Sequence, residues 1–209
     1  MKPIIRILLV EDHLIARIGI TTIINAQPDM VVAAEAVNGT QGVELYREHQ
    51  PDVTLMDLRM GATNGADALQ TIRREFPDAR VIILSSHSGD AEIARVLRLG
   101  ASGYVIKDVL EDELINAVRR VHQGKKYIPA KVAQILSEYW GEENLTPSEQ
   151  KILELIVEGA NNKTIADQLF ISENTVKSHV KNIFGKLGVN ERAQAVAVAF
   201  KRGLVSIDE

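Results

Sequence analysis

The stretch "VTLMDLRM", Val53 to Met60, decides how the first half of the chain is read. Val53 to Met56 have the near-continuous apolar character of a strand covered on both faces of a parallel sheet, yet the run delivers a carboxylate at Asp57. A buried acid is costly unless it faces something other than core. Four further runs share this texture: Ile4–Val10, Met30–Ala36, Val81–Leu84 and Gly103–Ile106. Between them lie helix-period segments at Leu14–Ala26, Gln41–His49, Ala66–Phe76, Ala91–Leu99 and Glu111–Gln123. Five such βα units predict an α/β fold, a doubly wound five-stranded parallel sheet with right-handed crossovers. Neither G-x-G-x-x-G nor G-x-x-x-x-G-K-[ST] follows the first strand, where "VEDHLIARIG" stands, so the common nucleotide-binding readings lose support.

A chain of 209 residues with 45% hydrophobic content is long for one compact domain and can give each of two its own core. The formal net charge of −4 argues neither for nor against nucleic acid. With no cysteine, a disulfide framework, a thiol nucleophile and zinc–thiolate sites are excluded. In "MKPIIRILLVEDH" Arg6 interrupts the apolar run and Glu11 and Asp12 close it, unlike a signal peptide or a membrane span. The expectation is a soluble cytoplasmic protein without membrane association.

From Lys125 to Asn144 periodicity weakens, with Gly124, Pro129 and Gly141 as punctuation and a helix expected at Ala130–Trp140. Beyond this linker every run is helix-like: Ser148–Glu158, Asn162–Leu169, Glu173–Leu187 and Arg192–Lys201. "LTPSEQ" supplies Thr146 as N-cap, Pro147 at the first helical position and Glu149 to close a capping box. "ISEN" supplies Ser172 as a second N-cap.

Glu11 and Asp12 directly follow the first strand, Asp57 ends the third, Ser85 ends the fourth and Lys107 ends the fifth. In an open parallel sheet the carboxyl ends of the strands line the ligand crevice, so these groups converge although nearly a hundred residues separate them. Three clustered carboxylates repel one another unless a cation neutralises them, and an all-oxygen set selects a hard ion, Mg²⁺ above all. A carboxylate beside such an ion can attack a phosphoryl group to give an acyl phosphate, with the lysine and a hydroxyl attending the phosphoryl oxygens.

"LLVEDH", "VTLMDLRM", "VIILSS" and "ASGYVIKD" resemble the signature segments of the flavodoxin-like receiver domains of bacterial two-component response regulators. The resemblance implies a phosphoacceptor at Asp57 supplied by a sensor histidine kinase. It also implies metal ligands at Glu11, Asp12, Asp57 and the Arg59 backbone carbonyl, a phosphoryl-contacting hydroxyl at Ser85, the family lysine at Lys107, and a switch pair of Ser85 and Tyr104. Two positions depart from the pattern: Gly61 and Asp108 stand where the family usually has proline. The first leaves the geometry of the loop after Asp57 open.

The segment from Leu145 to Phe200 resembles the LuxR-type helix-turn-helix domain, and with the receiver it makes a NarL/FixJ-type response regulator. Independently of the name, Val176, Val180, Ile183, Phe184 and Leu187 seat one face of the second helix on a core, and Asn174, Lys177, Ser178, Lys181 and Asn182 line the other. Glu173 is the only acid from Ser172 to Val189, against Lys177, Lys181 and Lys186, which concentrates positive charge where a recognition helix needs it. By family position Lys177, Ser178 and Lys181, with Asn174 and Thr175, are expected to contact promoter DNA. Ala193, Val196, Ala197 and Phe200 are expected to form a homodimer face used on activation. The expected division is a receiver at 1–124, a linker at 125–143 and the DNA-binding domain at 144–209. The chain is then not an enzyme beyond phosphorylation and dephosphorylation at Asp57. Two rivals are an aspartate-nucleophile phosphatase and a receiver carrying a protein-binding helical module. Against the first, Arg59 at the second position after Asp57 cannot serve as a general acid.

Overall fold

A computed structural model describes residues 4–61, 63–86, 89–107, 111–138 and 145–205. Asp108, Trp140, Gly141 and Asn144 lie outside the described residues. Contacts divide the chain into two compact units, the larger built mostly on residues up to Gln134 and the smaller mostly on those from Ile135 onward.

In the larger unit the expected alternation is present: β1 (Ile5–Val10), α1 (Leu14–Asn25), β2 (Met30–Ala36), α2 (Gly39–His49) and β3 (Val53–Asp57) come first. A short hairpin of β4 (Arg59–Met60) and β5 (Thr63–Asn64) follows, then α3 (Gly65–Glu75), β6 (Val81–Ser85), α4 (Asp90–Arg98), β7 (Gly103–Ile106) and α5 (Glu111–His122). The five main strands are parallel in the order β2-β1-β3-β6-β7. The order reverses beside β1 and β3, the place where doubly wound sheets open a crevice at their carboxyl edge. Every residue of β3, β6 and β7 is buried, as continuous apolar strands require. Ile7, Leu9, Leu55, Ile82 and Leu84 pack with Leu114, Ala117 and Val118 of α5 into one core.

The hairpin is absent from the sequence reading. Its turn uses Gly61 at φ 47°, a conformation closed to proline, so the departure at this position has a backbone reason. The packing of the larger unit also runs past the expected boundary at residue 124. Tyr127 is buried in this core; its N–H donates to the Ser102 carbonyl at 2.9 Å, and the Tyr104 N–H donates to the Tyr127 carbonyl at 3.0 Å. The expected linker helix is α6 (Ala130–Glu138).

The smaller unit holds α7 (Pro147–Val157), α8 (Asn162–Leu169), α9 (Glu173–Leu187) and α10 (Arg192–Arg202). The capping box is reciprocal: Glu149 N–H donates to Thr146 Oγ1 at 3.3 Å, and Thr146 N–H donates to Glu149 Oε2 at 2.8 Å. Asn161 and Ser172 cap α8 and α9. Ile152, Leu153, Ile156, Ile165, Val176, Ile183 and Ala199 form its core.

Candidate functional site

At the carboxyl edge of the sheet, Glu11 follows β1, Asp57 ends β3, Ser85 ends β6, and Lys107 follows β7. Glu11, Asp57 and Ser85 are 0%, 3% and 1% exposed. Parallel register brings them level: Asp57 pairs with Leu84 and Ser85 with Ile106, and the Lys107 N–H donates to the Ser85 carbonyl at 2.8 Å. Lys107 Nζ donates to Asp57 Oδ2 at 2.7 Å and lies 2.7 Å from Glu11 Oε2, the latter without hydrogen-bond geometry. Asp57 Oδ1 accepts the Arg59 N–H at 3.2 Å.

One ammonium therefore serves two buried carboxylates, with a third, Asp12, beside them. Burial pushes the Glu11 carboxyl above its ordinary range, and the charge of Asp57 adds to this, while Lys107 only partly offsets both. Burial works against the Lys107 ammonium too, but Asp57 and Glu11 outweigh it and hold its pKa above the usual value. The balance of the cluster is negative. Oxygens of Glu11, Asp12 and Asp57, together with a nitrogen of His13, lie within 4.8 Å of one another, a group that could hold a metal ion. Glu11 Oε2 and Asp12 Oδ1 are buried without a hydrogen bond among the described residues, and the His13 Nδ1 lies 3.0 Å from Asp12 Oδ1. Three carboxylates gathered around one ammonium offer oxygen donors that fit a hard cation.

Two positions that shape this site carry no expectation from the sequence. His13 follows Glu11 and Asp12 immediately, and its N–H donates to Glu11 Oε1 at 3.2 Å. A Cβ built at Gly65 would stand 2.1 Å from the Asp57 carbonyl oxygen, so the backbone of α3 can approach the end of β3 only through glycine. The dipeptide "NG" at 64–65 was the available signal. Tyr104, the expected switch aromatic, is fully buried.

The chain matches the model of the response regulator receiver domain over residues 7–119 and that of the bacterial regulatory proteins of the luxR family over residues 143–199. This chain is a LuxR-type response regulator. It is 40% identical to the transcriptional regulatory protein LiaR of Bacillus subtilis (strain 168), over 97% of this chain and 100% of the relative. It is 36% identical to the transcriptional regulatory protein DegU of Brevibacillus brevis, over 97% and 96%. Among solved structures it resembles RcsB from Salmonella enterica serovar Typhimurium bound to promoter P1flhDC in the presence of phosphomimetic BeF3-, with TM-score 0.73, 27% identity and coverage of 93% and 97%. The regulator thus belongs to a family of DNA-binding transcription factors rather than of conventional enzymes.

In the DNA-binding domain of this response regulator, α8 and α9 form the helix-turn-helix. Val176 and Ile183 are buried against the core, while Asn174, Thr175, Lys177, Ser178 and Lys181 are exposed. Thr175 also serves the cap, its N–H donating to Ser172 Oγ at 3.1 Å. Lys186 departs from the expected basic face: its Nζ turns inward to donate to Glu149 Oε2 at 2.8 Å. Of the expected dimer residues, Ala193 and Ala197 are exposed, whereas Val196 and Phe200 are half-buried against the domain's own core. A helix in a four-helix unit must spend one face on that core, and these two residues lie on it.

Proposed function

We propose that Asp57 accepts a phosphoryl group from a sensor histidine kinase and that phosphorylation controls promoter binding by the C-terminal helices as a homodimer. The observation that carries this reading is Lys107 Nζ placed 2.7 Å from both Asp57 and Glu11. An Asp57 oxygen bonds phosphorus as the phosphorus–nitrogen bond of the kinase phosphohistidine breaks, and the electron pair returns to the imidazole nitrogen. Lys107 is placed to follow charge from the Asp57 carboxylate onto the phosphoryl oxygens, and the Ser85 hydroxyl to donate to one of them. Glu11, Asp12, Asp57 and the Arg59 carbonyl would hold Mg²⁺. When bound, the ion neutralises the carboxylates and draws charge from the phosphoryl oxygens.

Lys177, Ser178 and Lys181, with Asn174 and Thr175, are the proposed DNA contacts, and Ala193 and Ala197 the accessible part of the proposed dimer face. The functional division is a receiver from residue 1 to about 124 with Tyr127 added, a linker to 143 and the DNA-binding domain from 144. A cytoplasmic location follows from DNA as partner; among the described residues no helix is long and apolar enough to cross a membrane. A small phosphodonor with Mg²⁺ should add one phosphoryl group by intact mass, and Asp57→Ala should take none. Equal labelling of Asp57→Ala would remove the assignment.

A further inference from the structure

Phe170 closes α8 in the left-handed region, at φ 55° and ψ 41°. Its N–H donates to the Ala166 carbonyl, so the residue is a true helix exit. Glycine is the residue suited to this conformation, and the same unit uses it elsewhere: α9 leaves through Gly188 and α10 through Gly203, both at φ 65°. A side chain as large as phenylalanine strains the backbone here, and burial does not offset the strain, because Phe170 is 95% exposed. Folding thus gains nothing from this ring. A residue that costs the folded state locally without burying its apolar surface points to a role outside folding.

Its place says what that role is. Phe170 stands two residues before Ser172, the N-cap of α9, and Ile171 between them is also exposed. In helix-turn-helix docking the N-terminal residues of the second helix reach base edges, so the turn leading into that helix lies at the rim of the groove. The surroundings suit a polyanion better than an apolar protein partner, since Lys177 and Lys181 are exposed and Glu173 is the only acid from Ser172 to Val189. A phenyl ring at a groove rim meets two apolar surfaces of a nucleotide, the thymine methyl group and the deoxyribose.

We propose that Phe170 is a DNA contact of this regulator, packing its ring on a thymine methyl or on the adjoining deoxyribose at the edge of the site read by α9. The proposal rests on the reading of α9 as the recognition helix. It adds an apolar contact, insensitive to salt, to a face otherwise read through charge and hydrogen bonds.

The test uses the full-length protein and a duplex that it selects from random-sequence DNA. Phe170→Ala and Phe170→Gly should each bind about tenfold more weakly at fixed salt, the loss expected for part of a phenyl burial. The slope of affinity against salt should stay as in the wild type, because no phosphate contact is removed. Phe170→Gly should unfold at or above the wild-type midpoint, since it relieves the left-handed strain, which separates lost contact from lost fold. Replacing each thymine of the site by deoxyuridine identifies the partner. A loss of about fourfold at one position in the wild type but not in Phe170→Ala marks the methyl, at the worth of one buried methyl group. A Phe170→Ala loss with no deoxyuridine effect marks the sugar. Wild-type affinity in Phe170→Ala, or an altered salt slope, would overturn the proposal while leaving the recognition helix in place. Failure of the wild-type protein to select any DNA would overturn the reading of α9 and the proposal with it.

Discussion

At the carboxyl edge of the sheet two carboxylates are buried and already paired: Glu11 and Asp57 share the half-buried Lys107 ammonium. Along α9 the corresponding groups, Lys177 and Lys181, are exposed to solvent. The first site is built by folding, so its residues carry stability as well as chemistry, and changing one disturbs the others. The second, in the proposed function, is completed only by its partner, and its exposed residues can be exchanged at little cost to the fold. Substitutions should therefore divide into those that damage the protein before any ligand is added and those that show only on binding.

The largest expected effect is at Gly65. Because a Cβ would stand 2.1 Å from the Asp57 carbonyl, Gly65→Ala must push α3 away from β3. A destabilisation of about 3 kcal/mol is expected from such overpacking against backbone, read by denaturant unfolding. Labelling at Asp57 should slow as well, because the displaced strand end carries the carboxylate proposed to react. Unchanged stability and labelling would show that the two elements can separate freely, and the contrast between the two regions would lose its rigid half.

Glu149 and Lys186 blur the contrast usefully, because they form a paired, buried site within the DNA-binding domain. Burial opposes the Glu149 carboxylate, but hydrogen bonds from Lys186 and from the Thr146 N–H and hydroxyl outweigh it and hold its pKa below the ordinary value of 4.5. A carboxyl with a depressed folded-state pKa contributes stability that is complete above its unfolded value and lost as pH falls through the folded one. The domain should thus keep this contribution above pH 4.5 and lose it in more acid solution. Lys186→Met leaves the buried carboxylate half-satisfied and should cost about 2 kcal/mol at neutral pH. The cost should shrink in acid, as the carboxyl protonates in both proteins. A cost that is the same at pH 3 and pH 7 would show that Lys186 acts through packing alone.

What the sequence made legible follows the same physical division. Strands buried on both faces announce themselves as apolar runs, and the polar groups at their ends stand out against that background; hence spacing and strand order alone bring Glu11, Asp12, Asp57, Ser85 and Lys107 to one edge of the sheet. Gly65 was missed because its role is the approach of two backbones, which leaves no side chain to read. The hairpin of β4 and β5 is too short for a periodicity of two to register. Tyr127 was assigned to a linker because one aromatic beyond a glycine has no period, although it completes the sheet edge. Lys186 looked like part of the basic face of α9 until a partner thirty-seven residues earlier in the chain turned it inward. The strain at Phe170 is a property of φ, which composition does not carry.

The smallest expected effect belongs to the exposed end of the comparison. Lys181 is exposed one helical turn beyond Lys177, where both ammoniums can reach phosphates flanking one groove. A contact of this kind reads no sequence, so Lys181→Ala should weaken binding to every duplex by a similar factor and leave the preference among duplexes unchanged. It removes one counterion-displacing contact and should lower the slope of log affinity against log salt by about one unit. Unfolding should stay within about 0.5 kcal/mol of the wild type, as for other exposed positions without structural partners. Salt titrations on a selected site and on a scrambled duplex check all three points. If Lys181→Ala instead erased the preference while keeping the slope, the side chain would be reading a base edge, and the outer face of α9 would be a specificity surface from its first turn to its third.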